Sequence, residues 1–405
     1  MDDSPALPWL ARPGARSWAC GSPAPVRDGE VRAYHASLPG YAPTPLAEVP
    51  ALADELGVGR LFVKDESARL GLPAFKVLGA SWAVRQVLAR PGPDGAAPPA
   101  DPPPGLAGLR ALAARWPGLV LVTATDGNHG RAVARMARLC GASARVFVPA
   151  VTEPATRAAI AGEGAEVVPV AGSFDDAVAV ARQWAQSHQG AALVQDTAWP
   201  GYERVPGWIV EGYSTLFGEL DAQLSASGAG SPALVAVPVG VGSLAQAAVA
   251  HYRSVAERRG ATAEGCPGRG RNSAPREPSS VTAVLSVEPE TAACLLASLR
   301  AGARVPIPTA GTIMAGLNCG TVSSVAWPYL SAGLDAAVAV RDNAARRAAA
   351  DLAAAGISSG PSGAASLAGV RAALTGNGSA DRRAALGVNS DSVIVLLSTE
   401  AGTAG

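Results

Sequence analysis

Among the 33 basic side chains of this sequence only two, Lys64 and Lys76, are lysines; all the others are arginine. A lysine amine can shed its proton and attack a carbonyl carbon, whereas a guanidinium stays charged and forms no Schiff base. Lys76 lies in Leu72-Pro73-Ala74-Phe75-Lys76-Val77-Leu78-Gly79-Ala80-Ser81, and Lys64 in Phe62-Val63-Lys64-Asp65-Glu66-Ser67. Such a lysine either snorkels its charge from an apolar surface to solvent or serves as a nucleophile that arginine cannot replace.

Three further groups have residue types suited to chemistry. Thr123-Ala124-Thr125-Asp126-Gly127-Asn128-His129-Gly130 separates an apolar run from a helical pattern, and N–H groups with hydroxyls at a helix start can seat a carboxylate. Asp126 would repel that carboxylate, so it suits a cationic group or a proton transfer. Plain N-capping by Thr125 or Asp126, with Gly127 in the turn, accounts for the same letters. Val239-Gly240-Val241-Gly242-Ser243-Leu244 follows the strand pattern of Leu234 to Pro238 and is either a phosphate turn or a structural one. Ala245 takes the place of the third glycine in a dinucleotide fingerprint, and no Gly-Lys-Ser/Thr follows as a P-loop requires. Finally, Val395-Leu396-Leu397-Ser398-Thr399-Glu400 is an apolar run ending in hydroxyls, which by itself is an ordinary strand end.

Positioning these groups falls to alternating short β-branched runs and Ala/Leu/Arg-rich stretches, the pattern of α/β layers with a mainly parallel sheet. Strands are expected at Arg60 to Lys64, Leu119 to Thr123, Ala144 to Pro149, Ala165 to Pro169, Ala192 to Gln195, Ala233 to Pro238, Val281 to Val287 and Val393 to Leu397. Helices are expected at Ser81 to Ala89, Gly130 to Leu139, Pro154 to Ala161, Phe174 to Ser187, Pro206 to Leu224, Ser243 to Arg259, Thr291 to Ala301 and Arg341 to Ala355. Pro91 to Gly108, Gly260 to Ser280 and Thr375 to Ser392 read as loop-like excursions rich in Pro, Gly or Ser.

Composition narrows the function classes. The chain has 405 residues, 48% of them hydrophobic, and a formal net charge of zero, so it can fill real cores and lacks the excess of basic charge that nucleic acid or an anionic membrane would require. A small-molecule substrate is the default partner. The opening residues lack the apolar core of a signal peptide, and no run is long and apolar enough for a membrane span. Five scattered cysteines, Cys20, Cys140, Cys266, Cys294 and Cys319, fit neither a disulfide framework nor a metal site. A cytoplasmic location is the expectation.

Taken in order, the reactive lysine, the Asn-containing carboxylate loop, the Gly-rich turn and the strand-terminal serine resemble the tryptophan-synthase-β-like (fold type II) pyridoxal-phosphate enzymes. Within that group, Tyr41-Ala42-Pro43-Thr44-Pro45-Leu46, Val63-Lys64-Asp65-Glu66-Ser67, Ala74-Phe75-Lys76-Val77-Leu78-Gly79, Thr125-Asp126-Gly127-Asn128-His129-Gly130-Arg131, Gln195-Asp196-Thr197-Ala198-Trp199 and Thr312-Ile313-Met314-Ala315-Gly316-Leu317 are similar to the diaminopropionate ammonia-lyase family. The likeness runs collinearly from about His35 to Thr399.

The resemblance implies two three-layer α/β/α domains with mainly parallel sheets and pyridoxal 5'-phosphate at the domain interface. Residues 45–84 and 206–405 would form the large cofactor-binding domain, 85–205 the small domain and 1–44 an N-terminal extension. Lys76 would form the Schiff base beside Phe75, Asn128 would bond the cofactor's phenolic oxygen, and Gly240, Val241, Gly242, Ser243 and Leu244 would hold its phosphate. Ser398, or in second place Thr399, would face the pyridine nitrogen. The implied reaction is α,β-elimination of 2,3-diaminopropionate to pyruvate and two ammonia molecules. Lys76, Asp126 and Asp196 would be the catalytic groups, and Thr125, Asp126, Gly127 and His129 would bind substrate.

A homodimer is implied, and no metal. Pro361 stands where the family usually has an acid and Glu211 where it has glutamine; the chain also diverges after Glu400. Elimination or β-replacement on another β-substituted amino acid is the alternative, followed by a non-catalytic ligand-binding relative.

Overall fold

The computed structural model describes residues 7–18, 28–91, 103–125, 127–264 and 281–402. They divide into two compact units: one takes the described residues of Met1–Val26, Thr44–Glu66 and Leu216–Gly405, the other Arg27–Pro43 and Ser67–Thr215.

The first unit is built on seven strands, β1 (Trp9–Ala11), β2 (Leu46–Glu48), β3 (Arg60–Asp65), β8 (Leu234–Pro238), β9 (Ala283–Pro289), β10 (Ala336–Val340) and β11 (Val393–Ser398), in the order β1-β10-β9-β8-β11-β3-β2. The five inner strands are parallel, and β1 and β2 close the two edges antiparallel. From β8 the chain runs outward to β9 and β10 on one side, while β11 and β3 lie on the other. That reversal makes the β8/β11 boundary a topological switch point, the kind of place where open α/β sheets bind ligands beyond the carboxyl ends of their strands. The buried strands are mostly apolar on both faces, as a sheet covered on both sides requires, with Lys64 on β3 and Ser286 and Glu288 on β9 among the buried polar exceptions. Leu61, Val63, Leu234, Ala236, Ile394 and Leu396 join one core cluster with helices Pro50–Leu56, Asp342–Ala354 and Pro361–Leu374.

The second unit carries four parallel strands, β4 (Val120–Ala124), β5 (Ser143–Pro149), β6 (Ala165–Val170) and β7 (Ala191–Leu193), in the order β6-β5-β4-β7. Val122, Ala124 and Phe147 pack against Ala177 and Ala181 of helix Phe174–Ser187. That helix starts on a capping box in which Ser173 and Asp176 bond each other's backbone N–H.

Several elements differ from the sequence expectations. The helix expected from Ser81 begins at Lys76, and the one expected over Pro206 to Leu224 is two, Arg204–Gly212 and Ser214–Ala226. Gly79 and Gly212 lie at a close crossing of helices Lys76–Leu88 and Arg204–Gly212. A Cβ on Gly79 would lie 2.7 Å from Ile209 and Tyr213 atoms, and one on Gly212 would lie 2.5 Å from Leu78 O, so Gly79 serves a close helix crossing and does not break its helix. Helix Gly105–Ala113 occupies the end of the expected Pro91 to Gly108 loop, and helix Ser243–Glu264 extends into the second expected excursion; residues 92–102 and 265–280, Cys20 and Cys266 lie outside the described residues. The third excursion contains helix Ser379–Leu386, and Arg382 donates to Ala373 O at 2.9 Å and to Thr375 O at 2.9 Å. Among the described residues no helix is long and apolar enough to cross a membrane.

Candidate active site

Lys76 is the first residue of helix Lys76–Leu88, where its side chain emerges from the start of the helix. Its Nζ donates to Asp196 Oδ2 at 2.7 Å, with the lysine side chain 22% exposed and the aspartate 9%. Asp196 stands just beyond β7, in a loop held by Tyr202, whose hydroxyl donates to Leu193 O and accepts from Gln195 N, both at 2.9 Å. Gln195 Oε1 in turn accepts from Thr123 Oγ1 and Ala124 N. The acid is therefore fixed to the end of β4 as well as β7.

Burial pushes the Asp196 carboxyl up, but the Lys76 charge, His129 and the hydrogen bond from Lys76 outweigh it and hold the group down at about 2. It is an anion throughout the working pH range. His129 is buried, and its Nε2 bonds Val194 O at 2.8 Å, which makes that nitrogen the protonated one and leaves Nδ1 as an acceptor. Burial lowers this imidazole below its ordinary value, with Lys76 adding to the effect against Asp196 and the Val194 bond. Its Nδ1 has no hydrogen-bond partner and lies 3.9 Å from Asp196 Oδ2. Phe75 is buried against Tyr213, ring centroids 4.8 Å apart, and Lys76 Nζ lies 5.7 Å from the Phe75 centroid. Tyr213, which the sequence did not single out, keeps a buried hydroxyl with no hydrogen-bond partner. A tyrosine facing a helix glycine such as Gly79 would have been its only signal.

The Thr125 loop precedes helix Asn128–Cys140. Thr125 Oγ1 accepts from Gly127 N at 2.9 Å and Gly130 N at 3.1 Å, so the capping reading of this threonine describes its oxygen. Gly130 has to be glycine, because a Cβ would lie 2.3 Å from Thr125 Cγ2. Asn128 opens the helix, half-buried. Asp126 lies outside the described residues.

In the first unit, Gly240 to Leu244 join β8 to helix Ser243–Glu264 at the switch point. Gly242 adopts a φ of +100°, and a Cβ there would lie 2.8 Å from Leu330 Cδ1; one on Gly240 would lie 2.9 Å from Gly316 O. Gly242→Ala is expected to cost about 1–3 kcal/mol through this crowding, read as a lower denaturation midpoint. Ser323 N donates to Val241 O at 2.9 Å while its buried Oγ has no partner. Cys294 Sγ sits 3.7 Å from Gly240 O. One strand over, Ser398 ends β11 fully buried, with Thr399 next to it.

Two departures in the sequence have local accounts. Pro361 occupies the first turn of helix Pro361–Leu374, where no backbone N–H is needed, and Ser362 N donates to Glu400 Oε1 at 3.2 Å. Glu400 thus supplies the acid at this helix start. Glu211 Oε2 accepts from Trp82 Nε1 at 3.0 Å.

Each unit has its own donor set: in the second, an amine beside an ionised acid, which suits a carbonyl group, and in the first, a turn whose Gly240 and Gly242 leave no room for a Cβ, with an orphaned hydroxyl on its flank, which suits an anion. Comparison with known proteins agrees. A family model described as pyridoxal-phosphate dependent enzyme matches residues 37–398. Diaminopropionate ammonia-lyase of Salmonella typhimurium is 35% identical over 311 residues, covering 74% of this chain and 69% of that protein. The enzyme of the same name from Escherichia coli K12 is 33% identical over 309 residues, covering 74% and 68%. A crystal structure of Escherichia coli diaminopropionate ammonia lyase in complex with an aminoacrylate-PLP azomethine reaction intermediate matches with a TM-score of 0.79 at 29% identity, covering 98% of this chain and 94% of that one.

Proposed function

Since the chain belongs to the pyridoxal-phosphate dependent enzymes, we propose that it catalyses α,β-elimination of 2,3-diaminopropionate, consuming one water and releasing pyruvate and two ammonia molecules. The observation that carries this reading is the 2.7 Å contact between Lys76 Nζ and an ionised Asp196. An anion held at the reactive amine would pair with the second, cationic amino group of a diamino substrate, and would offer the hydroxyl of serine or threonine a hydrogen bond without the ion pair.

When bound, pyridoxal phosphate supplies an aldehyde for the lysine amine and a conjugated ring that delocalises the charge left at Cα. Lys76, Phe75 and Asn128 would hold it on one side. Gly240, Val241, Gly242, Ser243 and Leu244 would take its phosphate, and Ser398, with Thr399 behind it, its ring nitrogen. A hydroxyl at that nitrogen does not enforce protonation as a carboxylate would, which suits elimination better than transamination. Lys76 would take the Cα proton from one face of the substrate and Asp126 from the other. Asp196 would hold the β-ammonium, and Thr125, Gly127 and His129 would receive the carboxylate end. A cytoplasmic homodimer completes the reading, and sedimentation of the purified protein tests the dimer.

The deciding assay measures pyruvate and ammonia from each diaminopropionate enantiomer, with serine and threonine alongside. Pyruvate from serine or threonine but not from diaminopropionate would overturn the substrate assignment. Asp126→Asn is expected to lower kcat/KM for one enantiomer by roughly 100-fold or more and for the other far less. Equal losses would rule out a face-specific base.

A further inference from the structure

The hydroxyls of Ser398 and Ser359 are 2.8 Å apart, and both residues are buried. Ser359 precedes helix Pro361–Leu374, and its hydroxyl has a second, longer bond to Gly360 O at 3.3 Å. Gly363, on the first turn of that helix, leaves the space they occupy: a Cβ there would lie 2.8 Å from Ser359 Oγ and 3.2 Å from Ser398 Oγ. The pair sits at the end of β11, the parallel neighbour of β8, from which the Gly240 turn departs.

A hydroxyl has one proton to donate and two lone pairs to accept with. While Ser398 donates to Ser359, it presents only lone pairs to a third group, and so can accept from a protonated ring nitrogen. If Ser359 gives up the 3.3 Å bond to Gly360 O and donates to Ser398 instead, the Ser398 proton is released toward an unprotonated nitrogen. We propose that Ser359 is a positioning residue: through Ser398 it sets whether the ring nitrogen of bound pyridoxal phosphate meets a hydrogen-bond acceptor or a donor. The inference rests on the reading that Ser398 faces that nitrogen. Only the two hydroxyl protons reorient; any proton on the ring exchanges with solvent.

The test loads the holoenzyme with cofactor labelled with 15N in the ring and follows the nitrogen resonance across pH in the parent, Ser398→Ala, Ser359→Ala and Ser359→Thr. Both alanine variants are expected to displace the titration of the resonance, and Ser359→Thr, which keeps a hydroxyl, to return it toward the parent. Equilibrium dialysis should show roughly two- to tenfold weaker cofactor binding in Ser359→Ala, the loss of one hydrogen bond's worth of order. A displacement in Ser398→Ala with none in Ser359→Ala overturns the role of Ser359 and leaves the placement of Ser398 standing. No displacement in either variant overturns the placement of Ser398 and the inference with it.

Discussion

Lys76→Arg is expected to abolish pyruvate release, by roughly 10⁴-fold or more when the nucleophile and a general base are lost together, while the protein remains folded. Arginine is the informative replacement because it keeps a cation beside Asp196, whose carboxyl is held at about 2 by that charge against the effect of burial. Lys76→Ala would remove both the amine and the partner of a nearly buried acid, and would mix a chemical loss with a stability loss. Borohydride reduction followed by mass measurement gives an independent readout. The parent should carry one cofactor fixed to the peptide containing Lys76, and the variant none. The only other lysine is Lys64, which is fully buried, so cofactor still fixed to an internal peptide of Lys76→Arg, as distinct from the N-terminal α-amine, would refute the assignment.

The strands were legible because burial on both faces makes them continuous apolar runs: β8, β5 and β6 start within one residue of the expected positions. What escaped was small-residue structure. Helix Pro361–Leu374, Pro-Ser-Gly-Ala-Ala-Ser-Leu-Ala-Gly-Val-Arg-Ala-Ala-Leu, is buried almost all round, so it has no polar face and no amphipathic period to read. Strand β10, Ala-Ala-Val-Ala-Val, is equally uninformative letter by letter. Helix Ser379–Leu386 was hidden for another reason. Arg383 donates to Leu374 O at 3.1 Å, to Gly57 O and to Leu56 O, and bonds from a guanidinium to distant carbonyls leave no trace in local sequence.

At the site, chemistry was legible where residue type is decisive. An amine and a glycine turn cannot be exchanged for neighbours in the alphabet, so Lys76 and Gly240 to Leu244 drew notice as letters, whereas Asp196 entered through the family resemblance alone. The supports did not. Tyr202 fixes the Gln195–Asp196 loop through its hydroxyl, and Ser359 meets Ser398 across 39 residues of sequence; a lone tyrosine or serine in a loop has no distinguishing pattern. Thr125 shows the converse. Its hydroxyl oxygen accepts two backbone N–H groups, so a letter that fits a substrate seat is also structural.

Lys64→Met is expected to destabilise the first unit by about 3–5 kcal/mol, the range for breaking a buried ion pair from one side, and to lower the urea midpoint accordingly. Lys64 points from β3 away from the face on which Leu61 and Val63 join the main core cluster. Its three N–H donors are all used: Thr44 O at 2.8 Å, Glu219 Oε2 at 2.9 Å and Gln223 Oε1 at 2.9 Å. Glu219 and Gln223 lie four residues apart on one face of helix Ser214–Ala226, so the ammonium ties that helix to β3 and to the Thr44 segment. Thr44 Oγ1 donates to Glu66 Oε1 at 2.6 Å, and Glu66 N donates to Ser398 O at 2.9 Å, which carries the network to the end of β11. A compact ammonium with three divergent donors fits this fully buried site; a planar guanidinium with five donors would overfill it. That answers why lysine persists here in a chain that otherwise uses arginine, without any role in chemistry. Lys64→Arg should therefore also destabilise, and Lys64→Met combined with Glu219→Leu should recover part of the loss, since the second change removes the stranded carboxylate. Full stability in Lys64→Met, or no recovery in the double variant, would show that the pair does not hold the unit together.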